Sequence, residues 1–363
     1  MEIKTLHGRF KFKLQRFNNG EDYFSLTGQC LDGYVSERLA EYAAYYSNRM
    51  SYEEVAGLIE RNTGEQLLSD QSIWRIVVAK AAQISEKQRQ QVAKRLKKGK
   101  LPAVASQVDI YNPQQSEVLL FDDGIEVKEQ KAKRDHKEVE QKTRVNTDVV
   151  MLEKRNGTYQ YLTAGIDQQG KEVVSLEECV KAELISEYSR RKTALPIVAI
   201  TDGAKSIRNS LLIIFGVALT IILDWYHLHK KVTEFFSMIA LNKNEKKKHL
   251  DFIFSCLWKG ETERVLTYLT TEVVGRNPAR LQELIIYLQK HEAEIINYER
   301  RQQAGKTIGS GRMEKGVDQV IGKRQKDNAM SWSRKGSKAL AILKVAELNH
   351  QWDSLWNFAP LAA

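Results

Sequence analysis

The sequence predicts an α/β (α+β) protein in which a mixed sheet is flanked by helices and is preceded by a small helical region. Alternating or continuously apolar runs, which are typical of strands, lie between residues 103 and 223. Apolar residues at helical spacing dominate from 35 to 81 and again after 230. In the middle of the chain the elements follow the order β-β-β-α-β-α-β-α, which fits a mixed sheet with helices on its faces.

The elements can be taken in chain order. Residues 3–17 alternate and predict one or two short strands, and 35–48 predict a helix that Ser36 caps. Strands are expected at 103–111, at 116–130 and in a hairpin at 147–167 that turns at Asn156-Gly157. A helix at 176–193 and buried strands at 197–201 and 220–223 follow. The rest is helical, with a break at Asn277-Pro278 and a Gly-rich turn before a helix at 306–325.

With 363 residues, the chain is long enough for two or three domains. We expect five parts: a short β segment (1–34), a region of two helices with a tight turn and a basic linker (35–100), a sheet region (101–229), a helical segment (230–300) and a C-terminal helical part (301–358).

The charge balance points to a polyanionic partner. The 56 Lys and Arg residues exceed the 46 Asp and Glu residues by ten, which favours nucleic acid over a membrane surface. The three cysteines lie far apart, so a zinc ribbon or a disulfide framework is not expected and a reducing, cytoplasmic compartment fits. No run of 18 apolar residues and no signal peptide is seen, so we expect no membrane span.

Residues 50–81 predict two short helices with a tight break between them. Ser51 and Glu54 have the spacing of a capping box, and Ser69 begins the second helix. The pattern indicates either a DNA-binding helix-turn-helix or an ordinary helical hairpin. In the DNA-binding interpretation, Gln71 and Arg75 contact base edges. The basic segment 85–100 is then a helix or linker that contacts phosphates, or else a solvated face.

Three carboxylates stand at the ends of predicted core elements, each near a glycine. They are Asp123, Asp202 and Glu314. Such a cluster of hard oxygen ligands suits two Mg²⁺ ions in a phosphoryl-transfer site. For any single Asp the simpler interpretation is a turn or a helix cap. Asp109 and then Asp122 are the alternatives to Asp123, although Asp122 is expected on the opposite strand face.

Asp224 and His227 follow the apolar strand at 220–223 and can share a helix face. The pair is expected to support the catalytic acids or to orient a phosphate. The alternatives are a hydrogen-bonded pair that caps the helix and, less favoured, a set of metal ligands, since no cysteine lies near.

A basic region spans residues 300–338, where eleven Lys and Arg residues stand against three acids. Cations next to an aromatic ring suit phosphate contacts combined with base stacking. The region therefore predicts a DNA-binding surface, with a solvated basic face as the alternative. The candidate contacts are Lys323, Arg324, Lys326, Trp332, Arg334 and Lys335.

Four stretches carry a resemblance to a known family: FDDGIEVKEQKAKR, ITDGAKSIRN, ILDWYHLHKKV and GSGRMEKGVDQVIGKRQKDNAMSWSRKGSKALAIL. In this order, across residues 34–358, they resemble bacterial insertion-sequence transposases of the DDE class, in particular the ISKra-like group, which is related to Mutator-type transposases. The Cys-rich N-terminal segment of many such transposases is missing here.

The resemblance implies an RNase H-like core with a helical insertion before the final catalytic helix. It implies that Asp123, Asp202 and Glu314 are the catalytic residues and that they hold two Mg²⁺ or Mn²⁺ ions. It also implies DNA strand cleavage and strand transfer by a homo-oligomer on the terminal repeats of an element and on target DNA, near a bacterial nucleoid. The alternatives are an RNase H-fold nuclease without strand transfer and a catalytically inactive DNA-binding relative.

Overall fold

A computed structural model describes residues 1–13, 15–20, 34–130, 143–216, 219–309, 311, 324–325 and 330–356. Within these ranges the chain is a mixed α/β protein with twelve α-helices and ten strands in three sheets, which confirms the predicted class. No described helix is long and apolar enough to cross a membrane.

The N-terminal part combines a small sheet with three helices. Strands β1 (Glu2–Thr5) and β2 (Gly8–Lys11) form the predicted hairpin, and β3 (Tyr34–Val35) pairs with β1 in parallel. Helices α1 (Glu37–Ser47), α2 (Tyr52–Thr63) and α3 (Asp70–Lys98) follow. The side chains of Ser36, Ser51 and Ser69 cap them as the sequence predicts, and Ser51 forms a full capping box with Glu54.

Helix α3 extends far beyond the predicted second short helix. It has 29 residues and, at 1.5 Å per residue, is about 43 Å long. The basic segment 85–100, for which the sequence left a helix or a linker open, is therefore helical as far as Lys98. Val77, Val78 and Ala81 belong to the core that covers one face of the large sheet. Helix α3 thus connects the helical region to the sheet core, while α1, α2 and the start of α3 also pack around a smaller core cluster of their own.

The large sheet has five strands in the order β10-β9-β4-β5-β6. Strands β4, β9 and β10 are parallel to one another, whereas β5 is antiparallel to both of its neighbours, β4 and β6. Asn156 and Gly157 form the predicted hairpin turn, where Gly157 has a φ of +77°. A separate two-stranded hairpin of β7 and β8 follows β6. The strands are β4 (Val118–Lys128), β5 (Arg144–Glu153), β6 (Tyr159–Leu162), β7 (Gly165–Ile166), β8 (Glu172–Val174), β9 (Ile197–Thr201) and β10 (Thr220–Leu223).

Helices cover both faces of this sheet. Helices α4 (Leu176–Tyr188) and α5 (Lys205–Phe215) pack on the face that carries Val118 and Leu120. Helix α3 packs on the face that carries Leu119 and Phe121, together with the C-terminal helix α11 (Arg334–Leu348). From α4 to the helix after β10 the order of helices and strands is the predicted α-β-α-β-α, whereas the sequence pattern did not predict the separate hairpin of β7 and β8 that precedes α4.

The insertion after β10 is helical, as predicted. Asn277 caps the fourth of its helices, and Pro278 is that helix's first residue, where a missing N–H leaves no hydrogen bond unmade. A short 3₁₀ turn, Glu292–Glu294, precedes the last of them. The helices are α6 (Trp225–Ile239), α7 (Lys243–Trp258), α8 (Thr262–Thr271), α9 (Pro278–Lys290) and α10 (Tyr298–Gln303), and α12 (Trp352–Leu355) follows α11.

The strand predicted at 103–111 is wrong. Only Val104 pairs with a neighbour, through an isolated bridge to Leu195. Beyond it, side chains rather than a strand satisfy the backbone, because the carbonyls of Asp109 and Ile110 accept hydrogen bonds from Lys306 and Arg301. Asp109 is exposed, and its carboxylate accepts a hydrogen bond from the N–H of Tyr111 in a turn.

A buried ion cluster joins the helical insertion to the sheet. The Arg301 side chain on α10 is fully buried and donates to both carboxylate oxygens of Glu117, at 3.0 and 2.7 Å. It also donates to the carbonyls of Ile110 and Thr307. The Lys306 ammonium lies 2.5 Å from the same carboxylate. One carboxylate beside the start of β4 therefore holds two cations from the far end of the insertion.

We expect Glu117→Gln to lower the free energy of unfolding by about 3–5 kcal/mol, because it leaves Arg301 buried without its counter-charge. Urea unfolding curves measure the change. The matched control is Glu283→Gln, which removes the partner of Arg280 from an exposed helical pair and should have little effect. A loss of less than about 1 kcal/mol in Glu117→Gln would contradict the structural importance of the cluster.

Candidate active site

Three aspartates lie level with one another in the parallel part of the sheet, directly after β9 and β10 and midway along β4. In the register of the sheet, Asp122 of β4 lies opposite Thr201 of β9, and Thr201 lies opposite Leu223 of β10. Asp202 and Asp224 directly follow those two strands, and the N–H of Asp224 donates to the carbonyl of Thr201 at 2.8 Å. The carboxyl ends of parallel strands are where open α/β sheets bind ligands, so this edge is the candidate site.

Asp202 is held in a tight turn that only glycine can complete. Its Oδ1 accepts a hydrogen bond from the N–H of Ala204 at 2.8 Å. Gly203 has a φ of +82°, and a Cβ there would lie 2.4 Å from Cε1 of His291. Arg208 and Glu294 both contact Nδ1 of that buried histidine, at 2.6 and 2.8 Å. The helical insertion thus supports the turn that carries Asp202.

Asp123 and Asp122 are neighbours on β4, as the sequence left open. The backbone of Asp123 pairs with Val149, and its side chain lies outside the described part of the structure. Asp122 is buried on the face that α4 and α5 cover. It lines a cavity of about 170 Å³ together with Asp148, Glu177 and Lys338. Asp109 lies apart, in the loop before β4.

Sequence reasoning missed Asp148 and Glu177. Asp148 lies in the alternating part of β5, and Glu177 is in the first turn of α4, where acids commonly balance the helix dipole. Burial raises the pKa of Asp148, and the negative charges of Glu177 and Asp202 raise it further, against the opposing effects of Asn146 and Lys338. Negative charge is therefore concentrated in this cavity, a setting that a bound cation would stabilise.

Asp224 acts first as a helix cap. Its side chain is 1% exposed and accepts a hydrogen bond from the backbone N–H of His227 at 2.9 Å. The capping alternative therefore describes this pair better than a set of metal ligands. Among the described residues, no three His, Cys, Asp or Glu side chains are arranged to hold a metal ion.

Glu314 lies outside the described residues, but the chain that leads to it starts at this edge. The carbonyl oxygen of Ile308 accepts a hydrogen bond from the backbone N–H of Trp225, with an N–O distance of 3.2 Å. At Gly309 a Cβ would lie 3.3 Å from Oδ1 of Asp224 and 2.6 Å from the ring of Tyr226. Glycine is required at this close approach, so the Gly-rich turn begins against the capping carboxylate of α6.

Part of the predicted DNA-binding surface is buried instead. Arg324 is 4% exposed, donates to the carbonyl of Ser47 and lies 4.7 Å from the ring of Trp332. Burial lowers the pKa of its guanidinium. The indole N–H of Trp332 donates to the carbonyl of Gln325. Arg324 and Trp332 therefore pack the C-terminal part against α1, because a ring and carbonyls replace water around the cation.

The other predicted contacts differ in their exposure. Arg334 is exposed but forms a two-pronged ion pair with Glu129. Lys335 is half-buried, with its ammonium 4.7 Å from the Trp74 ring centroid. Lys323 and Lys326 lie outside the described residues.

Gln71 and Arg75 are exposed in the first turns of α3. Val77 is fully buried and Trp74 is half-buried against the core. The exposed positions are thus available to a partner, while the opposite face of the helix is anchored.

Comparisons with protein-family models, with curated proteins and with solved structures find no match to this chain.

We expect Asp148→Asn to raise the free energy of unfolding at neutral pH, because desolvation at the cavity and neighbouring like charges raise the pKa of this carboxyl. The raised pKa means that the folded state favours the protonated carboxyl of Asp148. The gain in unfolding free energy should therefore shrink as the pH falls and vanish below pH 3.8, the ordinary pKa of aspartate. Urea unfolding curves of the variant and the wild type at a series of pH values measure this gain. The exposed Asp251→Asn is the control, and an effect of Asp148→Asn that does not change with pH would contradict the assignment.

Proposed function

We propose that this chain is a DNA transposase of the DDE class, which cleaves DNA strands with the help of divalent metal ions and transfers them to new sites. The observation that carries the proposal is the register of the sheet, which sets the Asp122-Asp123 pair of β4 level with the ends of β9 and β10, directly after which come Asp202 and Asp224. The segment that contains Glu314 starts against Asp224, at Gly309. Of the three residues that the family resemblance selects, Asp202 follows β9 and Asp123 is the neighbour of Asp122 on β4, which supports the proposal.

The architecture supports an RNase H-like core. A five-stranded mixed sheet has helices on both faces, and its elements follow the order that the resemblance implies. The helical insertion lies between β10 and the C-terminal helices, as expected for a core whose last catalytic carboxylate comes late in the chain.

The donor set fits Mg²⁺ or Mn²⁺. Both ions prefer hard oxygen ligands, and Asp123, Asp202 and Glu314 would hold them. The cavity beside Asp202 carries four carboxylates, those of Asp122, Asp148, Glu172 and Glu177, against one lysine. Bound ions supply activation of the attacking water or hydroxyl and stabilisation of the leaving oxygen. The chain supplies a rigid turn for Asp202, and Lys338 offers a positive charge near the carboxylates.

We expect Glu314→Gln and Asp202→Asn each to slow Mg²⁺-dependent nicking of duplex DNA about a thousandfold or more, the loss of about 4 kcal/mol of transition-state stabilisation. Nicking of labelled DNA with and without EDTA measures this, while circular dichroism and DNA binding should stay unchanged. The internal control is Asp318→Asn, four residues along from Glu314, whose effect should be mild.

Two further outcomes test the assignment within the same assay. If Glu314→Gln cuts DNA at nearly the wild-type rate, the assignment of Glu314 as the third carboxylate is wrong. If Asp318→Asn loses cleavage instead, Asp318 is the third carboxylate. Comparison of Asp123→Asn with Asp122→Asn decides between the neighbouring residues of β4. Joining of the cut 3′ end to a second DNA distinguishes a transposase from a nuclease, and no metal-dependent nicking at all would indicate an inactive DNA-binding relative.

Sequence preference is expected from the start of α3. Gln71→Ala combined with Arg75→Ala should weaken binding to the element's own ends about thirtyfold or more, since each of the two base contacts contributes about 1–3 kcal/mol of discrimination. Binding of unrelated duplexes should change far less, as fluorescence anisotropy can show. Gln83→Ala with Arg89→Ala changes the same residue types at exposed positions of the same helix and is the control.

Point substitutions are required because removal of residues 1–100 would take away Val77, Val78 and Ala81 from the shared core. If the Gln71 and Arg75 variant still prefers the element's ends, recognition lies elsewhere in the chain.

A further inference from the structure

A basic groove lies at the end of the sheet opposite to the candidate active site. It measures about 620 Å³, and five cations and one carboxylate line it. The cations come from three separate segments: the last turns of α3, the turn between β5 and β6, and the residue after the C-cap of α4. They are Lys94, Arg95, Lys98, Arg155 and Arg190, and the carboxylate is Glu187.

The floor of the groove is rigid. Gly99 ends α3, and a Cβ there would lie 2.1 Å from Cγ2 of Ile185 on α4, so the two helix ends are in close contact. The ion pair of Arg95 with Glu183, at 2.6 Å, joins the same two helices. The backbone segments that carry four of the five cations are therefore held together, which reduces the entropy that a bound polyanion would cost.

Two of the five cations are already partly neutralised. Arg95 pairs with Glu183, and Arg155 lies 3.7 Å from Glu187. No ion pair among the described residues involves the other three, Lys94, Lys98 and Arg190, which are exposed. Cations near a helix C-terminus balance the helix dipole, which accounts for Lys98. The helix dipole does not account for Arg155, which lies in a hairpin turn. Helix-dipole effects alone therefore do not explain why the five cations lie together.

We infer that this groove binds the phosphate backbone of duplex DNA without regard to sequence. The inference rests on the proposed function and deepens it by locating a second contact with the DNA. Helix α4 begins beside the acidic cavity, where Glu177 lies, and ends at the groove, and its 13 residues span about 20 Å. At about 3.4 Å per base pair, the contacted phosphates lie about six base pairs or more from the cleaved bond.

The test compares variants of the full chain by their binding to a duplex of arbitrary sequence, in EDTA and over a range of salt concentrations. The groove variant carries Lys94→Ala, Lys98→Ala and Arg190→Ala. Each lost phosphate contact flattens the slope of log affinity against log salt by about 0.9, so we expect a change of about 2–3. These side chains are exposed, so circular dichroism should show an unchanged fold.

The matched control removes the same charge elsewhere, through Lys243→Ala, Lys247→Ala and Lys248→Ala on the exposed surface of α7. Its slope should change by less than about 1. Equal slopes in the two variants would overturn the inference, because they would show an effect of net charge alone. Inorganic phosphate that displaces the duplex at an equal concentration of phosphate groups would also overturn it, since the groove would then be a small-anion site.

A second measurement uses the position of the cleaved bond. The groove variant should bind normally to duplexes that extend fewer than about six base pairs beyond that bond, and more weakly than wild type to longer ones. A loss that does not depend on length would overturn the inference. If the chain binds no DNA, the proposed function fails as well. If it cleaves DNA and the groove variant behaves as wild type, only the groove assignment fails.

Discussion

The buried pairing of Arg301 with Glu117 is the interaction on which the arrangement of the candidate site depends. It links residues 184 positions apart and joins the end of the helical insertion to the start of the central strand β4. Arg301 also holds the carbonyl of Thr307, and the next residue, Ile308, accepts a hydrogen bond from Trp225 at the end of β10. The insertion is long and entirely helical, yet its exit is fixed against the strand ends by a charge that water cannot reach. Separating this pair would leave an uncompensated charge in the interior at a cost of about 3–5 kcal/mol, so the exit of the insertion stays against β4.

Local signals made much of the fold predictable. The capping box at Ser51, the turn at Asn156-Gly157 and the break at Asn277-Pro278 are each decided by residues within a few positions of one another, and the structure has all three. The predicted strand around Val104 failed because the length and apolar character of a segment do not reveal what its backbone will bond to. Here the partners are the side chains of Arg301 and Lys306, nearly 200 residues away. Arg324 was misplaced for the same reason, since the carbonyl that buries it belongs to Ser47.

The candidate site was predictable to a similar extent. A carboxylate just after a buried parallel strand must lie at the common carboxyl edge, so Asp202 and Asp224 could be placed beside each other before the structure was known. Asp148 and Glu177 could not, because one lies within an alternating strand and the other resembles an ordinary first-turn acid. They join the cavity only because α4 packs over the sheet face that carries Asp122. Alternation shows that Asp122 and Asp123 differ in face, but which face borders the cavity is a property of helix packing.

The continuity of helix α3 restricts how the sequence of this chain can change in evolution. Its first turns carry Gln71 and Arg75, its middle packs into the sheet core, and its last turns line the basic groove, with no joint between them. Each residue of an α-helix turns the chain by about 100° and advances it 1.5 Å. A single residue inserted between Arg75 and Val77 would therefore rotate one end of the helix out of phase with the other. Substitutions at exposed positions between the two ends of the helix cost little stability. The composition of this part can therefore change while its length stays constant. A flexible linker of the same length would show the opposite behaviour, with loose spacing between the two ends.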